Sequence, residues 1–330
     1  YGTALSAGNA DGDASTNTGT THDILDNEAG VVTFVGGTTV DEAATSTDVT
    51  TQLTITGSGP DPFALAPAVT VTADVSFVAM GGTANDSGIR DDFDLTTQTV
   101  TFDPGTATGT TRDVFVSVID DTFVEGNETI SVHLSTLGDS YDGRVTLGGD
   151  EFVTITDNDT ATVSFLTPTS STTGETNPAP DTIRVRLTPD SPATELENDV
   201  TVDIVVAMGG TAAGTDYTFM PATLTFTGGG GPGHITEDAT FLTIADDEIV
   251  EGDETINFEM ANLATLDGQV SIGPGSAHTF TIENTDIATL SIADVVVNES
   301  DGTAEVVVVS DKEVQGGFSV DYVTADGTTE

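Results

Sequence analysis

The sequence lacks cysteine and tryptophan over its 330 residues, and it has only 6 basic residues against 55 acidic ones. Without cysteine, disulfides, zinc–thiolate sites and iron–sulfur clusters are excluded. The formal net charge of −49 repels the phosphates of nucleic acids and of anionic lipids, so neither is expected as a partner. No apolar run approaches the roughly 20 residues of a transmembrane helix, so membrane insertion is not expected either.

The acidity admits three interpretations: bound divalent cations, a solubility surface adapted to high salt, or a disordered acidic chain. Hydrophobic residues make up 36% of the sequence and alternate with polar ones, which argues against disorder. Tyr1 is not followed by the basic and apolar segments of a secretion signal, so we expect a mature protein or a piece of a longer one.

The sequence repeats at an interval of about 125 to 130 residues. VAMGGTA occurs twice with an offset of 128 residues, DDTFVEGNETI returns as DDEIVEGDETI after 126, and TITDNDTATVSF returns as TIENTDIATLSI after 127. The repeats predict four segments: the end of a partial repeat at residues 1–29, complete units at residues 30–159 and 160–286, and the start of another repeat at residues 287–330.

Within each unit, apolar and polar residues alternate with the period of half-buried strands. In TISVHLS, for example, Ile130, Val132 and Leu134 share one face, while Ser131 and His133 share the other. Gly, Pro, Asn and Asp punctuate these runs every 8 to 12 residues or so, which is typical of a β-sandwich. We therefore predict an all-β chain of tandem immunoglobulin-like antiparallel β-sandwiches.

Acidic residues crowd into one repeated motif, IDDTFVEGNETI, where a strand ends and another begins. Asp120, Asp121, Glu125 and Glu128 would repel one another by roughly 4 kcal/mol per close pair at an effective dielectric near 20. A hard cation neutralises such a group, and calcium accepts six to eight oxygen ligands in irregular loops. The motif therefore predicts a calcium site.

Three features together resemble Calx-β domains: the acidic pair followed by E-x-x-E, the GGTA segment with an acidic–aromatic pair downstream, and the D-x-D terminus. Such domains occur in the regulatory loop of sodium–calcium exchangers and in large extracellular microbial repeat proteins. The resemblance implies a seven-stranded sandwich with calcium bound in loops at one end. It covers both complete units and both partial ones.

The resemblance also implies which residues bind calcium. In the first unit the matching residues are Glu42, Asp92, Asp120, Asp121, Glu125, Glu128, Asp157 and Asp159. In the second unit they are Glu175, Asp216, Asp246, Asp247, Glu251, Glu254 and Asp286. The second unit departs from the pattern at Asn284, which stands where Asp157 stands in the first and removes one charge.

We expect a non-enzymatic, calcium-stiffened extended rod, outside the cell or on its surface, with a structural or adhesive role. The rod would be one long chain of neighbouring repeats, or a filament in which copies associate end to end. Two alternatives remain open at this point: a calcium-sensing regulatory module, and accessory repeats of a larger secreted enzyme.

Overall fold

The computed structural model describes residues 27–58, 62–77, 81–86, 90–94, 96–172, 174–176, 179–192, 194–229, 237–325 and 327. The partial repeat predicted at residues 1–29 therefore lies almost wholly outside the described residues. Two compact units meet in the sequence at Asp159 and Thr160. In the described part, helix is confined to the 3-10 turns Glu42–Ala44, Leu266–Gly268 and Glu299–Asp301, which confirms the all-β prediction. None of these helices is long and apolar enough to cross a membrane.

All strands of the first unit except β8 form two five-stranded sheets, in the orders β10-β1-β3-β7-β5 and β2-β11-β9-β4-β6. Their apolar faces enclose one core, as in a β-sandwich. The strands are β1 Ala29–Phe34, β2 Thr38–Asp41, β3 Ser46–Thr56, β4 Val71–Phe77, β5 Phe93–Asp94, β6 Gln98–Phe102, β7 Thr110–Val118, β8 Phe123–Val124, β9 Glu128–Ser135, β10 Val145–Leu147 and β11 Glu151–Thr156.

The second unit repeats this pattern in the orders β17-β19-β14-β12-β21 and β13-β22-β20-β16-β18, and it adds a β23-β24 pair. The strands are β12 Ala161–Phe165, β13 Thr169–Ser171, β14 Asp181–Pro189, β15 Glu195–Leu196, β16 Val200–Ala207, β17 Tyr217–Phe219, β18 Ala222–Phe226, β19 Glu237–Ile244, β20 Glu254–Ala261, β21 Val270–Ile272, β22 Ala277–Ile282, β23 Leu290–Ile292 and β24 Val308–Ser310.

The two sheets of each unit together contain ten strand segments, whereas the resemblance implies a seven-stranded sandwich. One reason is that a strand can be interrupted and continue in the other sheet. β1 and β2 follow each other in sequence but lie in different sheets, and Gly36 between them has a φ of +80°. β10 and β11 divide in the same way. As a result β1 pairs with β10, and β2 with β11, in parallel, which the alternating pattern alone did not indicate.

The predicted alternation agrees with burial in both units. Ile130, Val132 and Leu134 are all buried in the core, while His133 is half-buried and contacts Asp150. In the second unit, β14 and β20 likewise bury every second residue. Ser131 is the exception, since it was expected to face outward and is buried.

The repeated GGT motif explains this exception. The chain carrying Gly82 lies directly on β9, where the backbone N–H of Thr83 donates to the carbonyl of Thr129 over 2.8 Å. A Cβ at Gly82 would lie 2.4 Å from that carbonyl oxygen and 2.9 Å from the backbone nitrogen of Ser131. Only glycine permits this close approach, and the corresponding Gly210 meets the carbonyl oxygen of Thr255 in the same way.

Candidate metal centre

The parallel register of β2 and β11 creates the first carboxylate cluster. Asp41 and Thr156 are paired neighbours at the ends of the two strands, so the residues that follow them, Glu42 and Asp157, emerge side by side. The chain turns after β2 because the Asp41 side chain accepts a hydrogen bond from the N–H of Ala43 and begins a 3-10 turn.

The first cluster consists of Glu42, Asp157 and Asp159, and one carboxylate oxygen from each lies within 4.8 Å of the others. All three side chains are buried, with Glu42 only 2% exposed. Buried carboxylates this close to one another are stable only if protons, hydrogen-bond donors or a cation offset their charge.

Asp157 is the centre of this cluster, because both of its oxygens accept backbone hydrogen bonds. Oδ1 accepts from the N–H of Asp159 over 2.6 Å, and Oδ2 accepts from the N–H of Glu125 over 2.7 Å. The second bond ties the D-x-D terminus to the central acidic motif. Asn158 adds two further links, from its N–H to Glu42 over 3.4 Å and from its side-chain amide to Asp120 over 2.9 Å.

Burial is also the main influence on the proton affinity of the cluster. It raises the pKa of Glu42 from 4.5 to about 8, and the charges of Asp157, Asp121 and Asp159 act in the same direction. Burial raises the pKa of Asp157 from 3.8 to about 6, although its backbone hydrogen bonds oppose the shift. In the absence of a cation, Glu42 therefore retains its proton near neutral pH.

A second group in the first unit consists of Asp92, Glu125 and Glu128, again with one oxygen of each within 4.8 Å of the others. Asp92 immediately precedes β5, and Phe93 pairs with Val118 at the end of β7, which brings Asp92 to the acidic motif. Of the remaining predicted ligands, Asp121 accepts a hydrogen bond from the N–H of Phe123 over 2.7 Å, and Asp120 is exposed and bound by Asn158.

Among its described residues, the second unit has one comparable cluster, formed by Glu175, Asp247 and Asp286 with the same 4.8 Å spacing. Glu175 is buried, Asp286 is half-buried and Asp247 is exposed. Burial raises the pKa of Glu175 to about 7, with further contributions from Glu251, Asp247, Asp286 and Asp246. The Oε2 atom of Glu175 is buried without a hydrogen-bond partner among the described residues.

The other predicted ligands of the second unit lie beside this cluster. Burial raises the pKa of Glu254 to about 7, and a hydrogen bond with Asp216 adds to the shift. Burial and the charge of Asp216 also raise the pKa of Glu251. Asp246 is exposed and acts on Glu175 through its charge alone.

Asn284 keeps one of the two bonds that Asp157 makes. Its Oδ1 atom accepts from the N–H of Asp286 over 2.6 Å, as Asp157 accepts from Asp159. On the other side, its amide group donates to the carbonyl oxygen of Glu251, where Asp157 accepts from the N–H of Glu125. The turn is preserved, but one negative charge and one free acceptor are lost.

Two residues at this cluster were missed from the sequence. Lys312 forms an ion pair with the Oδ1 atom of Asp286, and the side chain of Gln315 bonds to Glu254. Both follow β24 in the segment that sequence reasoning assigned to a partial repeat. The available signal was that Lys312 is the only lysine in a chain with 55 acidic residues.

The donor sets of the three clusters fit a hard divalent cation. Each consists of carboxylate oxygens alone, the ligand type that calcium and magnesium prefer, and the described groups contain no histidine nitrogen. Glu175, a member of one such group, also has a buried Oε2 acceptor without a hydrogen-bond partner among the described residues. The acidic clusters can therefore hold a metal ion, although the ligand role of each predicted residue remains a prediction.

Comparison with known proteins identifies a family. The family model of the Calx-beta domain matches residues 26–159, 157–286 and 283–330. Among solved structures, CBD12 from CALX1.2 is 16% identical, with coverage of 76% of this chain and 99% of that one and a TM-score of 0.31.

Two further structures of this kind are similar. The apo form of the Calx CBD1 domain is 20% identical, with coverage of 38% and 99% and a TM-score of 0.32. The calcium binding domain CBD12 of CALX1.1 is 14% identical, with coverage of 76% and 98% and a TM-score of 0.30. A comparison with curated protein sequences gives no match.

Proposed function

The chain belongs to the Calx-beta family, and from that premise we propose that it is a calcium-binding structural repeat protein. The observation that carries the proposal is the buried cluster of Glu42, Asp157 and Asp159, whose oxygens converge within 4.8 Å. Calcium would be held there and by the similar groups Asp92, Glu125 and Glu128 in the first unit and Glu175, Asp247 and Asp286 in the second.

Calcium suits these groups better than magnesium does. The ligands come from loops and strand ends of unequal burial, and calcium tolerates the irregular geometry that such elements provide. Magnesium requires near-ideal octahedral coordination and retains several waters, which the nearly closed surroundings of Glu42 and Asp157 disfavour. When bound, the cation would supply positive charge to a cluster in which burial otherwise raises the pKa of Glu42 and favours its protonated form.

The proposed role of the ion is mechanical. The first cluster contains Asp159, the last residue of its unit, so binding would restrict the backbone where one repeat continues into the next. Tandem repeats stiffened in this way would form an extended rod with a structural or adhesive function. The strong negative charge supports a location outside the cell or on its surface, where calcium is abundant and high charge keeps the protein soluble.

The rod has two proposed forms, one long chain of neighbouring repeats or copies that associate end to end. In the second form, a strand of one copy would be added to an exposed sheet edge of the next. Electron micrographs of the purified protein with calcium distinguish separate short rods from continuous fibres. Antibody labelling of intact source cells tests the location, and labelling that requires permeabilised cells would contradict it.

Calcium binding itself is tested by thermal unfolding of the full chain in chelator and in excess calcium. Because calcium binds only the folded clusters, a concentration of about 100 times Kd adds roughly 2.7 kcal/mol to the free energy of unfolding, or about 5 to 10 °C in Tm. Glu42→Gln should remove most of this gain, whereas Asp48→Asn, at an exposed site on β3, should retain it. Identical melting curves with calcium and with chelator would refute the proposal.

A further inference from the structure

The segment after β24 is fixed to the acidic cluster of the second unit. The N–H of Val250 donates to the carbonyl of Glu313 over 2.9 Å, and the N–H of Gln315 donates to the carbonyl of Val250 over 3.0 Å. Val250 belongs to the acidic motif, between Asp247 and Glu251. These two bonds form a bridge between Val250 and Val314 that places the Lys312 and Gln315 side chains beside the carboxylates.

Lys312 faces a strongly negative environment at this place. Its ammonium group forms the ion pair with Asp286, and the charges of Glu248 and Asp311 also act on it. The Asp286 side chain is 13% exposed and the Lys312 side chain 30%, so water screens the pair only in part. Asp286 is also one of the three carboxylates that converge with Glu175 and Asp247.

Lys312 offsets the charge of Asp286 but not that of Glu175, the buried member of the cluster. Glu175 is 4% exposed, and its Oε2 atom has no hydrogen-bond partner in the part of the chain that the structure describes. The ion pair engages Asp286, whereas the buried acceptor of Glu175 remains available to a cation. A metal ion that binds this cluster would therefore contact Asp286 while Asp286 is paired with Lys312.

No such cation follows the corresponding strand one repeat earlier. Asp190 accepts from the N–H of Thr160, as Asp311 accepts from that of Thr289, so the two aspartates occupy equivalent positions. The residues after Asp190 read SPATEL, without a basic residue, whereas those after Asp311 read KEVQ. The sequence thus places its single lysine after the unit in which Asn284 has already removed a carboxylate.

We propose that Lys312 is a built-in competitor of calcium, which neutralises Asp286 in the metal-free state and lowers the calcium affinity of the second unit. This inference rests on the proposed calcium function. Lys312 and a calcium ion would both interact with Asp286, and their binding free energies are coupled reciprocally. A stronger ion pair between Lys312 and Asp286 therefore means a lower calcium affinity. The second unit would keep its cluster folded at calcium concentrations that leave it unfilled.

The test is calorimetric titration of the full chain with calcium chloride after chelation, in the wild type and in Lys312→Met. Methionine keeps an unbranched apolar stem and removes the charge. We expect a tighter class of sites from the first unit and a weaker class from the second. Lys312→Met should strengthen the weaker class by about fivefold or more and leave the tighter class unchanged.

Arg184→Met is the matched control. It removes one cation and one ion pair from the same unit, but Arg184 contacts Glu237 on the exposed face, where Arg186 remains to pair with that carboxylate. Its titration should match that of the wild type, and Lys312→Arg should keep the weaker class weak. Circular dichroism in chelator verifies that each variant is folded.

The outcomes separate the two proposals. If both classes bind calcium and Lys312→Met leaves the weaker class unchanged or weaker, the lysine does not compete and the inference fails, while the calcium function stands. If Arg184→Met strengthens binding equally, general charge is responsible and the inference also fails. If no variant binds calcium, the proposed function fails and the inference fails with it.

Discussion

The two units build their carboxylate clusters at corresponding places but offset the charge differently. The first unit buries Glu42, Asp157 and Asp159, where burial strongly raises the pKa of Glu42. The second unit leaves Asp247 exposed and pairs Asp286 with Lys312. The same fold can therefore carry two kinds of cluster. In the first unit a proton or a metal ion must offset the buried charge, whereas in the second Lys312 already offsets the charge of Asp286.

The difference centres on one pair of residues. Asp157 and Asn284 both accept a backbone hydrogen bond from the residue two positions later, so either side chain can form the turn. Only Asp157 also accepts from the acidic motif, because Asn284 presents an amide group there and donates to Glu251 instead. The fold therefore tolerates the exchange, while the electrostatics of the site do not remain the same.

The largest expected effect comes from making the first unit resemble the second. Asp157→Asn should lower the calcium affinity of the first cluster by about 100-fold, because it removes one charge and the oxygen that accepts from the N–H of Glu125. Calorimetric titration of the full chain measures the change. Asp48→Asn makes the same chemical change on the exposed face of β3 and should have no effect. An unchanged first class of sites would show that Asp157 is not a ligand.

The next largest effect concerns pH. A carboxyl whose pKa is raised in the folded state stabilises the fold below its unfolded pKa, and this contribution is lost as pH rises through the folded value. For Glu42 the loss spans 4.5 to about 8, and for Glu175 it spans 4.5 to about 7. In chelator, the Tm of the first unit should fall by roughly 10 °C between about pH 5 and pH 9.

Scanning calorimetry across this range tests the comparison between units. The transition of the second unit should stop falling near neutral pH, whereas that of the first should continue to fall to about pH 8. Glu42→Gln should flatten the curve of the first unit because glutamine carries no titrating group. A first unit that becomes more stable as pH rises in chelator would contradict the assignment.

A smaller effect, equal in the two units, is expected from substitution of the glycine that both units place against a strand. Gly82→Ala and Gly210→Ala would place a Cβ within 2.4 and 2.5 Å of the carbonyl oxygens of Thr129 and Thr255. Each should lower the free energy of unfolding of its own unit by about 2 kcal/mol, by denaturant titration. Gly149→Ala is the control, because a Cβ there meets nothing within 4 Å among the described atoms. Unequal losses would show that the units differ in fold as well as in site.

The fold was largely predictable from the sequence because period-2 alternation depends on local burial. The inward positions of β9, β14 and β20 follow directly from their apolar residues. The parallel pairing of β2 with β11 was not predictable, since it joins segments that are more than 100 residues apart. That pairing is what brings Glu42 to Asp157.

The sequence predicted where acidic clusters lie better than it predicted which residues belong to each cluster. The repeated acidic motifs marked the ends of strands, and the resemblance selected Glu42 and Glu175, which both lie in three-membered clusters. Asp120 and Asp246 were selected by the same pattern and are exposed outside those clusters. Lys312 was missed, because a search for ligands considers acids, whereas its contact with Asp286 depends on the bridge between Val250 and Val314.

The smallest expected effect is the reverse exchange, Asn284→Asp, which should strengthen calcium binding by the second unit about tenfold. The gain should be smaller than the loss in Asp157→Asn, because Lys312 still holds Asp286 and because Asp247 is exposed. The new carboxylate would also face the carbonyl oxygen of Glu251, so the backbone of the acidic motif must rearrange there before an N–H can donate to the carboxylate as that of Glu125 does. Combining Asn284→Asp with Lys312→Met should therefore give more than either change alone. Calorimetric titration of the three variants measures their calcium affinities. If the double variant binds calcium no more tightly than Asn284→Asp, the remaining difference between the units is due to the backbone at Glu251 and not to Lys312.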